Sequence, residues 1–129
     1  MTKTFRDLIF GVFFTFIIGI IIAANRGSLG NSFSFAYQVP YFDKVGHFIL
    51  MGLLAFFAII SLVPRMRGPQ QKATLKVVVI LLIIIAFEEI SQHFIPSRTF
   101  SIADYLCGVI GVLTANFVSK WLPLQKKSR

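Results

Sequence analysis

Long runs of apolar residues, separated by short polar stretches, dominate the pattern along this chain. A transmembrane helix needs about 20 largely apolar residues to cross the hydrocarbon core of a bilayer. Four stretches reach that length, at about residues 8–24, 44–63, 74–95 and 102–122. They predict an all-α fold, a four-helix transmembrane bundle that forms a single domain over residues 1–129.

Composition favours a membrane-embedded chain over a soluble one. Apolar residues make up 56% of the 129 residues and charged residues 14%, against about 25% charged residues in ordinary soluble domains. The single cysteine, Cys107, lies inside an apolar stretch, so the sequence provides no disulfide framework. The first apolar stretch lacks a convincing cleavage site, and we expect it to be retained as a helix.

The basic residues are divided unequally between the two ends of the predicted helices. The formal net charge is +8, but the basic residues cluster where apolar stretches end, which suits a membrane surface and does not indicate nucleic acid binding. Ten of the thirteen lie on one side: Lys3, Arg6, Arg65, Arg67, Lys72, Lys76, Lys120, Lys126, Lys127 and Arg129. Because Lys and Arg concentrate in cytoplasmic segments, we expect a multi-pass protein of the cytoplasmic (inner) membrane with both termini in the cytoplasm.

Small residues recur every four positions on two of the predicted helices. They are Ala103, Cys107, Gly111 and Ala115 on the fourth helix, and Gly11, Thr15 and Gly19 on the first. Such stripes let helices approach closely in lipid. We therefore expect both helices to pack through them in a compact bundle.

The predicted outer connection between the first two spans, residues 25–43, is rich in aromatic residues. They are Phe33, Phe35, Tyr37, Tyr41 and Phe42. We interpret them as an interfacial belt or a short amphipathic segment on the headgroups. A lid over a ligand site is the alternative.

Acidic residues are rare, and four of the five lie at or near the predicted outer ends of the helices. These four are Asp43, Glu88, Glu89 and Asp104, and His47, Gln92, His93 and Arg98 fall in the same layer. A carboxylate inside a span is costly unless it is protonated or paired, and Arg98 is the expected partner of Glu89 because its fixed charge and forked guanidinium suit a carboxylate. We predict an outward-facing polar pocket in which Glu88 or Glu89 has a functional role.

Structural roles compete with functional ones at individual positions. Asp43 is suited to cap the second helix, and Ser101 with Asp104 has capping-box spacing at the start of the fourth. His47 suits an interhelical hydrogen bond as well as chemistry, and His93 suits an interfacial position. Histidine and carboxylates can ligate zinc or iron, but HExxH, CxxC and paired ExxH motifs are absent, so we predict neither a metal nor another cofactor.

Two segments are distinctive in their spacing. The first is DKVGHF at residues 43–48, and the second is EEISQHFIPSR at residues 88–98, followed by Ser101 and Asp104. Together they resemble the VanZ-like family of membrane proteins, which shows a DKxxHF opening, then DExxQxFxPxR and a following SxxD. In this chain Glu88 stands where aspartate is usual, and Cys107-Gly108 stands where an Ala-Asn pair is common.

The resemblance implies one shared site and a bacterial envelope context. The implied site residues are Asp43, Lys44, His47, Glu89, Gln92, Arg98 and Asp104. The founding relatives are associated with resistance to teicoplanin, a lipid-tailed glycopeptide that binds cell-wall precursors. We therefore expect the outer pocket to bind or process an envelope lipid, a lipid-linked saccharide or a lipoglycopeptide.

In this leading hypothesis Arg98 and Lys44 hold an anionic headgroup, while Glu89 and His47 position a hydroxyl or amine. In a second hypothesis the protein is an intramembrane enzyme in which His47 or Glu89 is the catalytic general base. A proton-coupled multidrug exporter is disfavoured because residues 8–24 carry no charge. An accessory subunit whose polar layer only locks the bundle is the remaining alternative, and the sequence predicts no oligomeric state.

Overall fold

The computed structural model describes residues 2–28 and 41–124, and all regular structure in these ranges is helical. The helices are α1 (Lys3–Asn25), α2 (Phe42–Leu62), α3 (Gln70–Gln92) and α4 (Ile102–Ser119), and a 3-10 turn (Val63–Arg65) extends α2. The predicted all-α fold with four helices is confirmed. The third helix begins and ends earlier along the chain than the apolar pattern predicts.

Three of the four helices in the described ranges are long and apolar enough to cross a membrane. They are α1, α2 with its 3-10 extension, and α4. Helix α3 has 23 residues, and its apolar middle section, residues 77–87, is flanked by Lys72 and Lys76 on one side and Glu88 and Glu89 on the other. The prediction of four spans therefore depends on α3, whose charged ends have to lie near the membrane surfaces.

The most extensive interface between helices joins α2 and α4, and glycines bring the two backbones together. Gly52 and Gly111 lie opposite each other, and a Cβ atom on Gly111 would overlap the carbonyl oxygen of Phe48. A Cβ atom on Gly108 would lie 3.3 Å from the side chain of Met51. We call this interface the α2–α4 seam. Close approach of backbones at small residues is a common way for helices to associate in lipid.

The predicted stripes of small residues agree with the structure only in part. On α4, Gly111 and Ala115 are buried, whereas Ala103 is exposed. On α1, Cβ atoms at Gly11 and Gly19 would have no neighbour within 4 Å outside their own helix. The predicted stripe on α1 is therefore wrong over the described part of the chain, because this helix turns a different face toward its neighbour.

Helix α1 is attached to the bundle less closely than the other helices. Ile17 is the buried residue along its length, and the ring of Phe13 contacts that of Phe57 in α2 with 5.2 Å between the centroids. Among the described residues α1 packs against α2 and makes only slight contact with α3 and α4. A gap therefore remains beside α1.

Polar contacts join α1 to the bundle near both of its ends. At one end Asp7 pairs with Arg65 and accepts a hydrogen bond from Ser61 Oγ at 2.6 Å. At the other end Ser97 Oγ donates a hydrogen bond to the carbonyl oxygen of Asn25 at 2.7 Å. We call the Asp7 end the basic end, because the described basic residues of the predicted cytoplasmic side belong to it. The predicted polar layer lies at the opposite end.

Candidate functional site

A cleft of about 400 Å³ opens at the end of the bundle opposite the basic end. Its apolar wall comes from α1, with Ile17, Ile20 and Ile21, and from Leu50 and Met51 of α2. Its polar wall includes Asp43, His47, Glu88, Gln92, Arg98 and Asp104. We use the name polar cluster for these six residues together with Lys44 and Glu89.

Glu89 is the most deeply buried carboxylate of the polar cluster, with 2% of its surface exposed. Its Oε1 accepts a hydrogen bond from the backbone N–H of Ser101 at 2.8 Å, and its Oε2 accepts one from Gln92 Nε2 at 3.2 Å. Ser101 is the N-cap residue of α4, and N–H groups at a helix start have no partner within the helix. Glu89 therefore connects α3 to the start of α4.

Arg98 pairs with Glu88, and the predicted pairing with Glu89 is wrong. Its Nη2 lies 3.4 Å from Glu88 Oε1, and its Nη1 donates to Asn25 Oδ1 at 3.4 Å. Gln92 Nε2 lies 3.1 and 3.0 Å from the two carboxylate oxygens of Glu88. The difference arises because successive helical residues point about 100° apart. This rotation directs Glu88 toward the connection that carries Arg98 and Glu89 toward the start of α4.

Lys44 of α2 contacts two carboxylates, and one of them, Asp104, belongs to α4. Its Nζ lies 3.2 Å from Asp104 Oδ1 and 3.4 Å from Asp43 Oδ2. The Asp104 side chain is 10% exposed, whereas that of Asp43 is 50% exposed. Asp104 is thus the carboxylate whose charge depends most on Lys44.

The two predicted helix caps have different outcomes. Ser101 caps α4 as predicted, since its side chain accepts a hydrogen bond from the Asp104 N–H at 3.3 Å. The reciprocal bond of a capping box is not formed by Asp104, because the Ser101 N–H donates to Glu89. Asp43 does not cap α2, because that helix begins at Phe42 and its N-cap residue is Tyr41. The side chain of Asp43 is instead available for its contact with Lys44.

His47 is held in a defined orientation by the backbone of its own helix. Its Nδ1 lies 2.9 Å from the carbonyl oxygen of Asp43, and because a carbonyl can only accept, Nδ1 carries the proton. In the neutral ring Nε2 then carries the lone pair, and it faces Glu89 Oε2 at 4.0 Å. The other histidine of this end, His93, is exposed and its ring contacts that of Phe94.

The residues implied by the sequence lie near one another in two linked groups. Asp43, Lys44 and Asp104 form one, and His47, Glu89, Gln92 and Arg98, joined by Glu88, form the other. Glu88 was predicted only as an alternative to Glu89, and Asn25 was not among the predicted site residues. The spacing of Glu88 and Gln92 on one helix face is a signal for Glu88, whereas the sequence around Asn25 has none. The functional roles of all these residues stay predictions.

Three members of the polar cluster have side chains that can ligate a metal ion. His47, Glu88 and Glu89 each offer one ligand atom, and these atoms lie within 4.8 Å of one another. Gln92 contacts both carboxylates from the side of the cleft.

The aromatic connection falls largely outside the described residues, including Phe33, Phe35 and Tyr37. Of its described members, Tyr41 is 71% and Phe42 is 46% exposed, and Phe42 lines the cleft. The alternatives of an interfacial belt and a lid both stay open.

The chain is similar to a described protein family. The family model described as VanZ/LLP1 matches residues 2–123 of the chain, a segment that includes all four helices and the whole polar cluster. No match was found among the curated proteins or among the solved structures.

Proposed function

The chain belongs to the VanZ/LLP1 family, and we propose that it is a bacterial membrane protein whose cleft binds an amphiphilic molecule of the cell envelope. The ligand class is an envelope lipid or a lipid-linked cell-wall component. The observation that carries the proposal is the cleft, because its apolar wall along α1 continues directly into the polar cluster. An amphiphile likewise consists of an apolar chain joined to a polar headgroup.

The size and position of the cleft support a ligand that lies partly in the bilayer. Its volume of about 400 Å³ falls in the range of small-ligand sites, about 300–1,000 Å³. It accommodates a headgroup and the first part of a chain, while the remaining chain stays in lipid. The slight contact of α1 with α3 and α4 leaves a side from which such a chain can enter.

Charge distribution gives the proposed orientation. The basic end faces the cytoplasm with both termini, because Lys and Arg concentrate in cytoplasmic segments. The polar cluster and the cleft then face the outer side of the cytoplasmic membrane. A lipid-linked cell-wall precursor is accessible there, and its binding would give the protein an effect on susceptibility to glycopeptides such as teicoplanin.

The ion pairs of the cluster define how a headgroup is held. Arg98 and Lys44 already contact Glu88 and Asp104, so a phosphate reaches either cation only by competing with a carboxylate. Carboxylates accept hydrogen bonds from hydroxyl and amine groups, and a headgroup that carries such groups beside its phosphate satisfies both partners. A catalytic role fits His47 better than Glu89, because His47 lines the cleft and Glu89 lies behind it.

The test is to fill the cleft without disturbing the bundle. Gly46 lines the cleft, and among the described residues a Cβ atom there would have no neighbour within 4 Å, so a leucine side chain occupies the space of the ligand. Native mass spectrometry of the gently solubilised protein should show a bound lipid-sized or saccharide-sized mass in the wild type. We expect Gly46→Leu to weaken the affinity for this molecule at least about tenfold, a loss of about 1.4 kcal/mol, and so to lower its occupancy.

Gly11→Leu is the matched control, since it introduces the same side chain on α1 at a position that also has no neighbour and does not line the cleft. It should retain the bound mass. Equal occupancy in the wild type and Gly46→Leu would refute binding in this cleft. Arg98→Ala should also lose the bound mass if its headgroup contacts the guanidinium.

An accessory subunit remains a second candidate, favoured by the pairing of both Lys44 and Arg98 with carboxylates inside the protein. In that case the polar cluster only holds the helices together and binds no ligand. This candidate predicts that no variant changes a bound molecule and that alanine substitutions in the cluster lower stability.

A further inference from the structure

His47, Glu88 and Glu89 combine the ligand types and the spacing of a metal site. Imidazole and carboxylate ligands together suit ions such as Zn²⁺ and Mn²⁺. The three side chains come from two helices, and their ligand atoms lie within 4.8 Å of one another. We propose that they bind a divalent transition-metal ion of this class.

The distance between His47 and Glu89 supports an ion between them. Nε2 and Oε2 are 4.0 Å apart, which is too long for a hydrogen bond. Two ligand atoms that each lie about 2.1 Å from one zinc ion can be up to about 4.2 Å apart, and about 3.4 Å in a tetrahedral site. A contraction of about 0.6 Å would bring both atoms to a common tetrahedral ion.

Both side chains are oriented by contacts made through their other polar atom. His47 donates Nδ1–H to the carbonyl oxygen of Asp43, and Glu89 Oε1 accepts from the Ser101 N–H. Metal-binding histidines nearly always donate the remaining ring N–H to a carbonyl or carboxylate in this way, which fixes the tautomer and the ring. Nε2 and Oε2 therefore face each other, and Oε2, which accepts one hydrogen bond from Gln92, keeps a second lone pair for an ion.

Glu88 completes the set and is oriented from outside in the same manner. Arg98 Nη2 holds its Oε1 at 3.4 Å. Gln92 Nε2 lies 3.0 Å from Glu88 Oε2 and 3.2 Å from Glu89 Oε2, so the amide brings one oxygen of each carboxylate close to the other.

The carboxylates of the polar cluster outnumber its permanent cations, so its net charge is compatible with a bound divalent cation. Four carboxylates, those of Asp43, Glu88, Glu89 and Asp104, face two permanent cations. Within the described residues no lysine or arginine lies in ion-pair distance of Glu89, and the neutral ring of His47 faces it at 4.0 Å. Buried charges need a counter-charge or a metal, and a divalent ion at this point supplies it.

The ion needs no lipid, because all three ligands belong to the protein. His47 and Glu88 line the cleft, so an ion held by them is accessible from it, and a phosphate oxygen of the headgroup is a suitable further ligand. Only the binding of a headgroup phosphate to the ion rests on the proposed function. It explains how an anionic headgroup binds although Arg98 and Lys44 are already paired.

The experiment measures metal binding without any lipid substrate. The purified protein is stripped with a chelator, dialysed, and titrated with Zn²⁺ alone, and bound metal is counted by elemental analysis. We expect one ion per chain in the wild type, and affinities at least about tenfold weaker in His47→Ala and Glu89→Gln. Glu89→Gln keeps an oxygen for the Ser101 N–H and so preserves the start of α4.

His93→Ala is the matched control, because it removes the other histidine of the same end, which is exposed and outside the polar cluster. It should bind zinc like the wild type. The X-ray absorption spectrum of the bound zinc should show one imidazole ligand among oxygens, and this ligand should be absent in His47→Ala. Thermal unfolding of each variant confirms that it is folded.

The inference is overturned if the stripped wild type binds neither Zn²⁺ nor Mn²⁺, or if both His47→Ala and Glu89→Gln bind as tightly as the wild type. Lipid occupancy is measured by native mass spectrometry on the gently solubilised protein before the metal is stripped. Metal binding without a bound lipid contradicts only the proposed function, and a bound lipid without metal binding contradicts only this inference.

Discussion

The two sides of α2 meet their neighbours in opposite ways. Toward α4 the backbones approach each other at Gly52 and Gly111, with no space left between them. Toward α1 the contact depends on a few side chains, such as Phe13 and Phe57, and a cleft of about 400 Å³ remains. One side of the helix thus holds the bundle together while the other leaves space for a ligand, and substitutions should separate the two roles.

The largest expected loss of stability comes from adding a side chain in the α2–α4 seam. Gly111→Leu forces the two backbones apart, because even a Cβ atom there overlaps the Phe48 carbonyl. We expect a loss of stability on the order of 3 kcal/mol, the upper range for overpacked cores. An unfolding titration in mixed micelles measures it.

Gly46→Leu is the control for this titration, because it adds the same side chain to α2 on the side of the cleft, where a Cβ atom meets no neighbour. Its stability should stay close to that of the wild type. Equal losses in the two variants would show that the two sides of α2 do not differ in packing.

A second prediction concerns the hydrogen bond between Glu89 and the start of α4. Glu89→Ala leaves the partly buried N–H of Ser101 without its acceptor, and because an unsatisfied buried donor costs about 1–3 kcal/mol, we expect a loss at the lower end of that range. Glu89→Gln keeps an acceptor oxygen and should lose less. The same unfolding titration compares them, and identical stabilities would mean that the bond to Ser101 contributes nothing.

The smallest expected effect is at the basic end, where α1 is held by an exposed ion pair. Asp7→Asn removes the charge that pairs with Arg65 but keeps the oxygen that accepts from Ser61. The side chains of Arg65 and Asp7 are 41% and 31% exposed, and such pairs contribute below about 1 kcal/mol. A larger loss would show that α1 depends on this contact more than on its apolar face.

The sequence predicted the helices because the length of an apolar run is a direct physical requirement for crossing lipid. It also predicted which polar residues share a layer, since Asp43, Glu89 and Asp104 lie at corresponding ends of their helices. It did not predict their partners. Whether Arg98 contacts Glu88 or Glu89 depends on the rotation of α3 and on the path of residues 93–101, and the sequence specifies neither.

A polar pocket at this end was predicted, but its apolar wall along α1 was not, and the reason lies in the environment of α1. In water an apolar helix gains free energy by packing against others, so its composition indicates its contacts. In lipid the acyl chains are as apolar as a leucine side chain, and composition no longer indicates burial. The glycines of α1 had the spacing of a contact stripe, yet Cβ atoms at Gly11 and Gly19 would meet no other helix of the described residues within 4 Å.

The hydrogen bond between Glu89 and the start of α4 also bears on how the protein is made. A buried carboxylate and a backbone N–H without partners each cost several kcal/mol to transfer from water into hydrocarbon. Only nine residues, 93–101, separate α3 from α4, so the two groups emerge from the ribosome close together and can satisfy each other before either enters lipid. Helices α3 and α4 are therefore suited to leave the translocon as a pair. We expect a long insertion between them to reduce the amount of protein that integrates into the membrane more than it reduces ligand binding by the integrated protein.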